Sequence, residues 1–181
     1  LHVDITDPDK MIIGFRENSI KVNEFGMAAE GEFIMKPDAY NMDINFASTK
    51  NSFKSILSLV PGMFLEGFEA LSTSGAVEFS GKVAGTYAET PAQMPAFNLV
   101  CKIKDGMFQY PDLPAAVRNV QMDLAIDNAD GVIDNTAVNL RAFHLDFGNN
   151  PVDARYELSH LGRLEMDGEV NAKLNLTELA T

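Results

Sequence analysis

Apolar and polar residues alternate along most of this chain with a period of two. From Leu164 onward the apolar positions are Leu164, Met166, Gly168, Val170, Ala172, Leu174 and Leu176. Glu165, Asp167, Glu169, Asn171, Lys173 and Asn175 stand between them. Successive side chains of a strand point to opposite faces, so this pattern predicts a long strand with one apolar and one wet face, not a helix. Val120, Met122, Leu124 and Ile126 alternate in the same way with Gln121, Asp123, Ala125 and Asp127. So do Tyr40, Met42, Ile44 and Phe46 with Asn41, Asp43 and Asn45. Phe97, Leu99, Cys101 and Ile103 alternate less cleanly, and Val77, Phe79, Gly81, Val83, Gly85 and Tyr87 form a further long run.

Turn residues punctuate these runs. Asp105-Gly106 and Asp130-Gly131 are hairpin-type dipeptides, because glycine tolerates positive φ. Pro111 and Pro114 bracket a bend, and Asn149-Asn150-Pro151 marks another. The expected architecture is mainly β: a long, curved antiparallel sheet, a groove-like meander with one apolar face. Ile20–Phe46 shares a similar plan with Phe143–Tyr156 and Leu164–Leu176, without a fixed period, which hints at a stacked meander.

One region reads as helical. Phe53, Ile56, Leu57 and Val60 lie on one stripe within Lys50–Val60, Asn51 or Ser52 is placed to cap its start, and Pro61-Gly62 stops it. A second short helix is expected over Met63–Leu71, from Phe64, Leu65, Phe68 and Leu71. The chain therefore reads as one domain, 1–181, with a helical insert at about 50–71; no Pro, Gly or Ser linker divides it.

Composition adds a sign. With 14 Lys+Arg against 26 Asp+Glu the net charge is −12. Nucleic-acid phosphates need Lys and Arg, so no nucleic-acid partner is expected, and charge-driven docking on an anionic membrane is disfavoured. At 46% hydrophobic and 22% charged the composition is that of a globular chain. Residue 1 is Leu, no leader-like segment opens the sequence, and no apolar run approaches the roughly 18 residues of a spanning helix. The chain reads as a soluble piece cut from a longer protein.

Candidate chemistry is sparse. His2, His144 and His160 are scattered and none has a second ligand at metal-binding spacing. Asp127–Asp134 looks like a calcium loop, but aligning Gly131 with the obligatory glycine puts Ile126 and Ala137 at the first and last ligand positions, where carboxylates are required. A solvated hairpin turn is the better reading. No G-x-S-x-G, H-E-x-x-H or Walker loop is present. Gly81 and Gly85 fall inside a strand-like run and read as bulges or close approaches. Cys101, the single cysteine, falls on an apolar face and reads as buried filler. No catalytic residue, metal or cofactor is expected.

The amphipathic strands remain. Their apolar faces either close into a core or form a trough open to an acyl chain. Strand length favours the trough, since strands ordinarily run about five or six residues. Flexible methionines at 42, 122 and 166 suit an adaptable apolar surface. The groove candidates are Val120, Met122, Leu124, Ile126, Leu164, Met166, Val170 and Leu174.

Several segments resemble the AsmA family in its Bacteroidetes-type form. They are Asn51–Pro61 (NSFKSILSLVP), Gly75–Tyr87 (GAVEFSGKVAGTY), Asp105–Val120 (DGMFQYPDLPAAVRNV) and Asp123–Leu140 (DLAIDNADGVIDNTAVNL). The resemblance runs from about Ile20 to the end; its distinctive part is DG-F-x-YPDLP. It implies a large parent protein anchored in the inner membrane by an N-terminal helix, projecting into the periplasm and serving outer-membrane biogenesis. It further implies likeness to bridge-like lipid transporters, in which a β-groove carries phospholipid acyl chains, and it brings no catalytic motif. The chain would be a segment of the C-terminal periplasmic region. The leading expectation is thus a non-enzymatic, lipid-handling segment. The second is a module that organises envelope assembly by binding proteins through an exposed edge strand or helix. A hydrolase of an envelope polymer has only the carboxylates behind it.

Overall fold

In the computed structural model residues 1–50, 52–59, 70–111, 115–173 and 175 are described. Alternation of the kind seen in the sequence can be satisfied only by strands that pair. The strands are β1 (His2–Asp7), β2 (Lys10–Phe15), β3 (Ile20–Val22), β4 (Phe25–Lys36), β5 (Ala39–Ser48), β6 (Ser72–Glu89), β7 (Ala92–Gln93), β8 (Ala96–Gln109), β9 (Val117–Asn128), β10 (Ala137–Phe147), β11 (Asn150–Ser159) and β12 (Glu165–Ala172). All belong to one antiparallel sheet, ordered β1-β2-β4-β5-β6-β8-β9-β10-β11-β12, with β3 paired to β4 and β7 to β6. The sheet is not closed into a barrel. The mainly β, antiparallel meander expected from the alternation is the observed fold.

Among the described residues there is one α-helix, α1 (Phe53–Leu57). It is shorter than the stripe Lys50–Val60 predicts. Ser52 caps it by accepting the Ser55 N–H at 3.2 Å. Asn51 and Val60, and all of the expected second helix except its last two residues, lie outside the described residues. Leu71, the last of its apolar positions, is buried.

The core lies beneath α1. Phe53, Val77, Cys101, Ile103, Val117 and Val120 form one buried cluster, with Phe79, Leu99, Phe108, Met122, Leu124, Leu145 and Phe147 packed around it. Two glycines permit this closeness. Gly75, at φ 110, faces Gly106 across β6 and β8, and a Cβ on Gly75 would lie 2.6 Å from the Gly106 Cα. A Cβ on Gly106 would lie 2.9 Å from the Val120 Cβ and 3.3 Å from the Phe53 ring.

Two local expectations change and one holds. Asp105-Gly106 is not a hairpin turn: it lies inside β8, where the register with β9 shifts between Ile103 and Gly106 and Asp105 takes φ 52. The dipeptide that could have turned the chain instead makes a bulge, which adds a residue and bends the strand. Asp130-Gly131 does join two hairpin strands, within the longer connection 129–136. Leu164 is not a strand position. It ends the turn before β12 at φ 51, its N–H bonded to the His160 carbonyl.

Candidate functional site

In an antiparallel ladder, residues directly opposite each other project from the same face. The register therefore shows where the apolar positions go. Ala29 pairs with Phe46, Phe46 with Gly81, Gly81 with Leu99 and Leu99 with Ile126. Ile126 in turn pairs with Val138, Val138 with Leu158 and Leu158 with Met166. One apolar row thus crosses eight strands. A neighbouring row runs Val77, Ile103, Met122, Phe143, Ala154, Val170. Near the N-terminal edge the same face carries Val3, Ile13, Phe33 and Met42.

Cover over this face is uneven. Val77 and Ile103 are buried near α1, whereas Ile44, Phe46, Val83, Leu99, Ile126, Val138 and Leu158 are half-buried. Phe46 sits over Gly81, whose missing side chain leaves room for the ring: a Cβ there would lie 2.5 Å from the Phe46 Cζ. At one end Phe33, Tyr40 and Tyr87 stack across three strands, with ring centroids 5.7 and 6.1 Å apart.

The eight groove candidates separate into groups. Val120 is buried in the cluster under α1, and Met122 and Leu124 pack against that cluster. Ile126 is half-buried in the long row. Met166 and Val170 are 70% and 71% exposed on edge strand β12. Leu164, in its turn, is exposed, and Leu174 lies outside the described residues. The structure does not bring them into one lined site; it places them at three depths of one face.

The opposite face carries charge. Lys82 meets Asp43 at 2.7 Å, Lys102 and Arg141 both meet Asp123 at 3.6 Å, and Arg155 meets Glu169 at 3.0 Å. Hydrogen bonds from Asn171 and then Arg155 hold the Glu169 carboxyl below its usual range. Asp130 accepts hydrogen bonds within its own turn, from the Val132 N–H and the Asn135 amide. Among the described residues no group of three or more His, Cys, Asp or Glu is placed to hold a metal ion. Burial pushes the Cys101 thiol up, which keeps it protonated.

No local pattern signals the arrangement around His144. Its Nδ1 lies 2.7 Å from Asp153 and its Nε2 3.5 Å from Asp146. The hydrogen bond to Asp153 raises the imidazole pKa, against a smaller opposing effect of burial. A group whose folded pKa is raised contributes stability below its unfolded pKa, near 6.5, and loses it as pH rises through the folded value. Asp153→Asn should therefore lower the thermal midpoint more at about pH 6 than at about pH 8.5. A gap between the two proteins that stays constant with pH would remove the imidazolium from the account.

Compared with protein-family models, curated proteins and solved structures, the chain matches none. Among the described residues no helix is long and apolar enough to cross a membrane.

Proposed function

We infer that the apolar face of the sheet is a trough for phospholipid acyl chains. On this reading the chain is a non-enzymatic, periplasmic segment of an inner-membrane-anchored protein of outer-membrane biogenesis and lipid transport. The supporting observation is the row from Ala29 to Met166, apolar or glycine at every strand it crosses. At about 4.8 Å per strand it extends roughly 34 Å. The chains of one bilayer leaflet need about 15 Å, so an acyl chain fits along it. Each methylene taken from water contributes about 0.8 kcal/mol, so shielding requires no specific contact. The acidic opposite face keeps anionic headgroups off the wrong side of the sheet.

The structure selects the position for a test. Met122 packs against the cluster under α1, so an arginine there confounds binding with folding. Val138 is half-buried between Ile126 and Leu158, away from the helix. A photo-crosslinking residue at Val138 should capture phospholipid, identified by mass spectrometry, and one at Asn98 on the charged face should not. Val138→Arg should abolish recovery of lipid at Ile126 while circular dichroism stays native. Equal crosslinking from both faces, or none from either, defeats the reading.

A further inference from the structure

The two edges of the sheet are built differently. At β1 the pairing with β2 shifts between Asp4 and Asp7, and Pro8 follows directly. Bulges and prolines are devices that blunt an edge. At β12 all eight residues pair with β11 without a shift, from Ser159–Glu165 to Val152–Ala172. The strand contains no proline, and every residue in it is exposed. Among the described residues nothing pairs with its outer side, so a regular row of backbone donors and acceptors faces outward. Met166 and Val170 extend the apolar face to this edge.

The charged face of β12 indicates the partner. Elsewhere on this face Asp43, which stands opposite Glu32, is met by Lys82, and Asp123 is met by Lys102. On β12, Glu169 has Arg155 and Glu165 has Arg163. Asp167 instead stands directly opposite Glu157. Like charges facing each other across a ladder are destabilising. A second copy of this chain would bring either the acidic β12 or β1, whose same face carries Asp4, and would add to the repulsion.

We propose that β12 is an augmentation edge for an extended segment of another protein that alternates lysine or arginine with apolar residues. Its backbone completes the ladder, its cations meet Asp167 and Glu157, and its apolar side chains continue the row beyond Met166. This interaction does not depend on the lipid reading: it uses the edge, whereas the trough uses the face.

The test uses the whole chain and a synthetic peptide as long as β12 that alternates lysine with valine. Binding is followed by fluorescence anisotropy and its place by hydrogen exchange. The peptide should bind and slow exchange in β12. The N–H groups of a strand alternate sides. N-methylation of either the lysine amides or the valine amides should therefore abolish binding, and methylation of the other set should be tolerated. Asp167→Lys should weaken the lysine peptide by about fivefold or more and favour a glutamate–valine peptide instead. Binding that survives both methylations is charge attraction alone and overturns the proposal, as does protection elsewhere. Slow exchange, before peptide is added, of the outward-facing β12 amides that β11 does not pair also overturns it, because the edge is then covered by its own chain or a second copy.

Discussion

Phe53→Ala should destabilise the chain by about 3–5 kcal/mol, the range for deleting a buried aromatic ring. The ring is 4% exposed and closes the cluster formed by Val77, Cys101, Ile103, Val117 and Val120. Its centroid lies 6.2 Å from that of Phe108, and it rests against Gly106, where no side chain intervenes. A five-residue helix is far too short to form by itself. α1 therefore persists through its anchor, and removing Phe53 should release the helix as well as leave a cavity. Ile126→Ala, on the half-buried row and outside that cluster, supplies the comparison, because a side chain already in partial contact with water forfeits less transfer free energy. Equilibrium unfolding in urea should show a clearly larger loss for Phe53→Ala. Equal losses would mean that the apolar face is uniformly closed, and the trough would lose its physical basis.

Asn128→Ala should remove about 2–3 kcal/mol, a large effect for a polar residue at the end of a strand. Asn128 is 1% exposed. Its amide donates to the Val132 carbonyl and to the Thr136 Oγ1, both at 2.8 Å, and its carbonyl oxygen accepts the Gly131 N–H at 2.6 Å. These bonds fold the connection between β9 and β10 onto itself, with Gly131 at φ 76. Alanine leaves the buried Thr136 hydroxyl and the Gly131 N–H without these partners, which is costlier than never having made the bonds. Hydrogen exchange should show fraying that begins at Asn128 and Ala137 and spreads along both strands. Unchanged protection there would show that water replaces the amide at no cost.

Much of this fold was legible because alternation is a local property. Tyr40–Phe46, Val77–Tyr87, Phe97–Ile103 and Val120–Ile126 all fall inside strands. β2 was not legible for the converse reason. Ile12 and Ile13 point to opposite faces, with Ile34 opposite the first and Phe33 opposite the second, so both faces are apolar and the period of two disappears. The bulge at Asp105-Gly106 imitates a turn signal, because both need positive φ. What separates them is a partner strand on each side, which no local pattern records. The pairing of His144 with Asp153 was hidden in the same way: eight residues part them in sequence, and only the register sets them opposite.

The sequence by itself determined that most of this chain forms strands with one apolar and one polar face, because side-chain direction in a strand follows from residue parity alone. It also settled that the charge of −12 belongs largely to the wet positions. Only the tertiary structure decided how the apolar positions are shared out. Val120 and Met166 have the same place in the alternation, yet one is 4% exposed and the other 70%. The difference arises because α1 and the bulged pair of β8 and β9 close over the first, whereas β12 has a neighbour on one side only. Burial depends on which strands become neighbours and what lies across them, and those are long-range pairings that a period of two does not specify.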